Sequence, residues 1–462
     1  MPDHAQQEQN TQAICRVLKR RDLILFGLVI VGPTAPLPVY GILQSLSHGQ
    51  AALSYLVAMV AMLFTAISYG RMATAYPSAG STYTYVQRSL HPYVGFLAGW
   101  SMILDYFLLP LIGIIYPALT AARLFPTVPY FVWVIVFTVG ITVINVLGVH
   151  ALSKANTAMM VAMVGTMILL LALAVRSIVA GHGAVGLFSL SGLYPSGHFA
   201  VSPMMLGASV AALSYIGFDA ISTLAEDSVA PKKDIGIATV LVCILQTAIC
   251  VVTVYVIALV TRGEQSFAHA DTAILDIGQQ IGGRLLFLAL TLILLVAGIS
   301  CALTGQAGSS RLLFAMGRDG VIPRAVFGRL HPRFGTPTRA LYLTSALLLV
   351  FALLSQFEIA VEMLNFGAFV GFILVNLSVV QHFWIRGRER SGQAWIKNLL
   401  LPLCGAGVCA YVWLSLSRDA KLAGFLWLLL GVLYLALHTR GFRRAMRIFG
   451  QESAHEYELR QG

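Results

Sequence analysis

Residues 203–225 read PMMLGASVAALSYIGFDAISTLA, and this stretch decides the fold. It is long enough to cross a bilayer as one helix. Asp219 is its only charged side chain. A carboxylate at that depth costs roughly 2.5–3.5 kcal/mol on insertion scales unless it faces a cavity or a partner. A helix that served only as an anchor would not carry it. Asp219 therefore marks a candidate site, against the alternative of a carboxylate satisfied by nearby backbone. Just before it, Ser214, Tyr215 and Gly217 interrupt the run, because glycine weakens a helix interior.

The rest of the chain supports the membrane reading. Of 462 residues, 58% are hydrophobic and 11% charged; soluble domains carry about 25% charged residues. Apolar stretches divide into about twelve spans: 23–46, 51–70, 93–122, 130–149, 155–180, 203–225, 236–261, 284–316, 338–357, 359–384, 396–416 and 421–438. The predicted fold class is thus an all-α integral membrane protein. The net charge of +11 looks at first like a nucleic-acid signal. With the amino terminus inside, however, 24 of the 30 Lys and Arg residues fall on the inner side and six on the outer. That asymmetry follows the positive-inside rule for an even number of spans with both ends in the cytoplasm. Nucleic-acid binding is then unnecessary as an explanation. The first 22 residues are polar, end in CRVLKRRD and do not read as a secretory signal peptide, since no small-residue cleavage site follows a short apolar core. The six cysteines form no CxxC pair and read as small buried residues, with Cys15 in the tail.

A second break lies in the first span, at Gly32-Pro33-Thr34-Ala35-Pro36, followed by Pro38. Proline lacks an amide hydrogen and clashes with the preceding turn, so the helix should open here. Backbone exposed at that depth is tolerated only where it lines a cavity or is buried in protein. Breaks in spans one and six, five spans apart, predict two five-helix repeats, 23–180 and 203–384, the second inverted. They are followed by two further helices at 396–438 and flanked by tails at 1–22 and 439–462. Paired breaks of this kind point to a ligand site near the midplane. A simple proline kink is the competing reading for the first.

Asp105 is a second lone acid, in GFLAGWSMILDYFLLPLIG. Two carboxylates in one dry cavity disfavour joint ionisation unless a cation or proton comes between them. Proton and cationic ligand would then draw on the same negative charge. Glu226 and Asp227 close the sixth span, and Glu358 and Glu362 open the tenth; all four read more simply as solvated ends. Pro33 and Pro36 donate no hydrogen bonds, leaving Gly32 and Thr34 as donors for an anion. The break is therefore poor in anion donors, which favours an amine over an acidic ligand. Tyr83–Tyr85 and Tyr215–Phe218 could gate the site or cover an ammonium, or simply pack. Lys154 reads as an inner anchor. Ser300 and Thr304 leave a sodium site open. No HExxH or Walker A sequence occurs, so metal catalysis and direct ATP drive have no support.

These residues carry a resemblance. The segments AISYGRMATAYPSAGSTYTYVQRSLHPYVGFLAGWSMILDYFLLP, SYIGFDAISTLAED, SSRLLFAMGRDGVIPRAVFGRLHPRFGTP and LNFGAFVGFILVNLSVV are similar to the amino acid–polyamine–organocation transporter superfamily. Within it the chain most resembles the bacterial putrescine importers, from Leu23 to about His438. The resemblance implies two inverted five-helix repeats plus two helices, and proton-coupled import. It places substrate beside Gly32, Pro33, Thr34, Ala35, Asp105, Ser214, Tyr215, Gly217 and Asp219. Asp105, Asp219 and Glu226 match acids of those importers and would serve proton coupling. One departure stands out: the importers carry an aspartate after the first break, where this chain has Pro38. The expected protein is a secondary transporter rather than an enzyme, in the bacterial inner membrane. Its substrate is a small cationic amine, putrescine first, with a neutral or cationic amino acid as the alternative and a channel disfavoured. No cofactor is implied, and the coupling ion is a proton, with sodium as the alternative. Expected partners are the substrate and membrane lipids, and the protein is read as a monomer or weak dimer.

Overall fold

The computed structural model describes residues 18–77, 81–147, 152–181, 186–194, 199–225, 228–318, 327–328, 331, 336–439 and 441. Among them the chain is almost wholly helical, with one isolated bridge between Leu18 and Ser228. Ten helices are long and apolar enough to cross a membrane, and a bent pair makes an eleventh span. The apolar helix Thr338–Leu354 falls just short of the same length. Each of the twelve predicted spans has its helix. Such a chain has no other route across lipid, since every amide must find its partner within the segment.

In chain order, α1 (Arg20–Val31) and α2 (Pro36–Leu46) form the bent pair. They lead to α3 (Ala51–Ala75), the short α4 (Ser81–Ser89), α5 (Pro92–Leu124), α6 (Tyr130–Leu147) and α7 (Leu152–Val179). The second half runs through α8 (Val201–Ala211), the one-turn α9 (Ala220–Thr223), α10 (Pro231–Val260), α11 (Ala273–Arg318), α12 (Thr338–Leu354) and α13 (Phe357–Val379). Helices α14 (Leu401–Leu414) and α15 (Arg418–His438) close the fold.

Helix α5 carries Pro110 and Pro117 in its interior and would be weakened alone. Helix α11 supplies the fit: Gly305 lies against the Pro110 ring and Gly298 against Pro117, where any larger side chain would collide. Small residues allow this close approach in membrane packing. The seam fixes α5, and with it Asp105, against the second half. Buried polar side chains add ties. Asn376 of α13 donates to the Thr65 hydroxyl of α3 at 3.0 Å, while Ser68 donates to the Asn376 carbonyl at 2.6 Å. Gln306 of α11 donates to Ser345 of α12 at 2.7 Å.

Two elements depart from the sequence reading. Helix α4 was not predicted, because its nine residues, STYTYVQRS, are mostly polar. Tertiary contacts hold it instead: Tyr69 meets Thr82 at 2.5 Å and Ser81 meets Ser222 at 2.7 Å. The eighth span starts at 284 as predicted, just after non-helical backbone at Gly282 and Gly283, but a helical piece from Ala273 that was not predicted precedes it. The cysteine reading holds for Cys243, Cys250 and Cys409, which are buried; Cys404 is exposed.

Candidate functional site

The first break is local chemistry made visible. Helix α1 stops at Val31, and Gly32 takes φ 76°. The Ala35 amide donates to the Gly32 carbonyl at 3.1 Å, turning the chain before Pro36 opens α2. The two helices meet at 56°. Pro33 and Thr34 are buried in the turn, and Ala35 is the residue that caps α2. Gln246 of α10 also donates to the Gly32 carbonyl, at 3.1 Å, satisfying part of the opened backbone.

The second break follows α8. The chain tightens into a 3-10 turn at Ala212–Tyr215, passes Gly217 at φ 109° and restarts at Ala220. That φ disfavours any side chain. Sterics exclude one as well, because Ile30 occupies the space a Cβ at Gly217 would need. Ile30 lies two residues before Gly32, so the breaks touch.

Asp219 and Asp105 sit beside this junction, 6% and 7% exposed. The backbone amides of Gly217, Asp219 and Ala220 face the Asp219 carboxylate. Oδ1 of Asp105, on α5, has no hydrogen-bond partner in the protein. The negative charge of Asp219 acts on Asp105, and both act on the Tyr106 hydroxyl. Tyr69 and Cys243 lie in the field of Asp219, and Cys301 in that of Asp105. Among the described residues the ion pairs are Arg20–Asp234, Arg71–Glu389 and Arg123–Asp276; neither Asp105 nor Asp219 belongs to one. The arrangement is a buried pair of carboxyl groups without a protein cation, suited to a proton or a cationic ligand.

Other expected residues fall differently. The Ser214 hydroxyl is taken by Tyr55 at 2.7 Å. Tyr215 donates to the Tyr55 carbonyl at 3.2 Å and meets Thr247 at 2.9 Å. Both side chains brace the break against α3 and α10. Phe218 joins Tyr69 and Phe372 in a ring cluster, with centroids 5.7 and 5.2 Å away, and Tyr85 packs on Tyr69 at 6.1 Å. Glu226 and Asp227 lie outside the described residues, as does the Lys154 side chain. Glu362 is not solvated: it is 1% exposed and accepts the Ser417 amide at 3.2 Å, because α15 begins over it. On α11, Ser300 is half-buried and Thr304 exposed.

Sequence reading missed Gln246, which stands alone as an amide in the apolar run VLVCILQTAIC. It also missed Asn365 of α13, which donates to the Ser209 carbonyl at 2.5 Å and steadies the end of α8. A lone amide in a membrane span is the signal that marks Gln246, whereas Asn365 shares its span with Asn376 and Gln381.

The amino acid permease family profile matches residues 24–431. The low-affinity putrescine importer PlaP of Escherichia coli (strain K12) is 33% identical over 91% of this chain and 93% of its own length. The methylthioribose transporter of Bacillus subtilis (strain 168) is 26% identical over 94% of this chain and 95% of its own. The branched-chain amino acid permease BcaP of the same organism is 27% identical over 93% and 94%. With paired breaks, a buried site and a match spanning nearly every helix, this chain belongs to the amino acid permease family of multi-span membrane transporters.

Proposed function

We propose that the chain imports a small organic amine, putrescine or a near relative, by proton symport. In this reading it lies in the bacterial inner membrane with both termini cytoplasmic. Residues 23–180 and 203–384 act as inverted repeats around the two breaks. One observation carries the amine assignment. The second-break amides, which would dock a substrate carboxylate, already face the carboxylate of Asp219. An incoming carboxylate would meet an anion where it needs donors, whereas an ammonium would meet an acceptor. Pro33 and Pro36 remove further donors from the first break. Asp105 adds a second acceptor with a vacant lone pair. The putrescine importer among the relatives agrees with this reading.

Proton coupling follows from the same pair. Two acids that oppose each other's charge take up a proton or a cation to relieve the conflict. A transporter that passes through both states couples the two fluxes. A neutral or cationic amino acid is the second reading. It is favoured by Pro38, which stands where similar importers carry an aspartate for the second ammonium, and by the branched-chain permease among the relatives. Competition against labelled putrescine uptake in proteoliposomes decides between them. Amines without a carboxylate should compete; if only α-amino acids do, the amine reading fails.

A further inference from the structure

We propose a docking site for an anionic phospholipid at the end of the bundle where α13 turns into α14. The proposal needs only a chain that spans a membrane and is independent of the amine reading. Residues 386–398 join the two helices and hold Arg386, Arg388, Arg390 and Lys397 against the single acid Glu389. Arg71 of α3 and Arg88 of α4 lie beside them. Arg71 donates to Glu389 at 3.3 Å, and Arg386 donates to the Arg88 carbonyl at 3.1 Å. Arg20 and Arg123 have carboxylates of their own, Asp234 and Asp276. Here Glu389 is already taken by Arg71 and Asn398. Arg88, Arg386, Arg388, Arg390 and Lys397 enter no ion pair among the described residues.

Topological anchoring asks for charge alone. This cluster is also shaped. The Arg71 guanidinium lies 4.2 Å from the Phe383 ring centroid, that of Arg88 5.5 Å from Tyr76 and that of Arg390 5.3 Å from Trp384. A stacked guanidinium keeps its in-plane N–H groups for phosphate oxygens, which they match two at a time. The backbone helps to place them. Helix α13 runs out through a π-helical turn, Val380–Arg386, and the Glu389 amide donates back to the Phe383 carbonyl at 3.1 Å. Arg388 takes φ 51° in that closure, where glycine is the usual residue. A second π-helical turn, Ile396–Leu400, leads into α14 and packs against the first. Such turns are rare and frequent at functional sites.

An apolar strip beside the cations points to a lipid rather than a soluble phosphate. Ile385, Trp395, Leu400 and Leu403 are all exposed. Ile385 directly precedes Arg386, and Leu400 and Leu403 follow Lys397 into α14. Trp395 stands between the charged turn and this strip, as tryptophan does at a membrane interface. The phosphate would meet Arg388 and Arg390, and the acyl chains would lie along Ile385, Leu400 and Leu403. In the orientation proposed above, the lipid belongs to the cytoplasmic leaflet.

The test is a titration of delipidated, full-length protein with phosphatidylglycerol or phosphatidylcholine, the bound lipids being counted by native mass spectrometry. Phosphatidylglycerol should bind roughly tenfold or more tightly than phosphatidylcholine. Arg388→Gln with Arg390→Gln should remove that preference, since each basic residue near an anionic surface is worth roughly fivefold. The control is Lys232→Gln with Lys233→Gln, which removes the same charge at the same end of the bundle, where Thr74 of α3 donates to the Lys232 carbonyl at 3.0 Å. It should leave the preference nearly unchanged. If the arginine pair cannot be replaced without unfolding, either single substitution should weaken phosphatidylglycerol binding several-fold. A wild-type protein without preference, a preference that survives loss of both arginines, or equal losses in the two double variants overturns the proposal. Displacement of the lipid by millimolar glycerol 3-phosphate overturns it too, because a headgroup held without its chains marks a site for soluble phosphate.

Discussion

Neutralising Asp219 while keeping its shape gives the sharpest test of the central site. Asn occupies the same volume and retains one acceptor oxygen, so packing against the second break is preserved. Removed is the charge that an ammonium would meet. A hydrogen bond to a charged group contributes about 1.5–3 kcal/mol. At about 1.4 kcal/mol per decade, that predicts roughly a 10- to 150-fold loss of substrate affinity. The structure sharpens the expectation. Asp105 remains and keeps an unpartnered oxygen, so weak binding should survive and show at high substrate. Initial uptake rates into proteoliposomes, measured across substrate concentration, separate affinity from turnover. If proton transfer also passes through Asp219, the maximal rate will fall as well, and substrate exchange will outlast net uptake. Thermal melting should stay within a few degrees of wild type. A folded Asp219→Asn protein with near-normal uptake at low substrate would falsify the assignment of the carboxylate to substrate.

Three further outcomes follow from the same geometry. Putrescine uptake should respond to an inward pH gradient, collapse with a protonophore and be indifferent to exchanging sodium for potassium; accumulation on a sodium gradient alone refutes the proton reading. Gln246→Leu removes the donor to the Gly32 carbonyl, about 1 kcal/mol, and should raise the transport KM roughly fivefold; an unchanged KM means that Gln246 does not position the break. Gly217→Ala should lower the melting temperature by several degrees through collision with Ile30 and an unfavourable φ of 109°, and Ile30→Ala should restore only the steric part. Complete rescue by Ile30→Ala would show that the backbone conformation costs nothing.

What the sequence made legible and what it hid divide along physical lines. Pro33 and Pro36 announce the first break because their constraint is covalent and acts in any context. Asp105 and Asp219 announce themselves because an isolated carboxylate in lipid is costly wherever the helix sits. The role of Gln246 could not be read, since an amide in a span says only that it needs a partner; the Gly32 carbonyl lies more than two hundred positions away in the chain. Helix α4 was hidden for a related reason. Its nine residues are mostly polar, and Tyr69 and Ser222 supply what holds them. Glu362 looked solvated because it opens a helix, and only the later helix α15 covers it. Local constraint is written in the sequence, whereas long-range partnership is not.

That division bears on how the two breaks came to be one site. Each break alone is a liability: Gly32 leaves a carbonyl short of a helical partner, and Gly217 takes a backbone angle that few residues tolerate. Together they satisfy each other's needs only in part. Ile30 fills the space at Gly217, Gln246 answers Gly32, and Tyr55 and Thr247 hold Ser214 and Tyr215. The two acids beside them take part in no ion pair. Protein atoms thus satisfy the backbone of the junction while its electrostatics stay open. A site built only for stability would have placed a lysine or arginine there, and a fully hydrated one would not have buried both acids. The remaining deficit is one of charge, and a mobile cation meets it without becoming part of the fold.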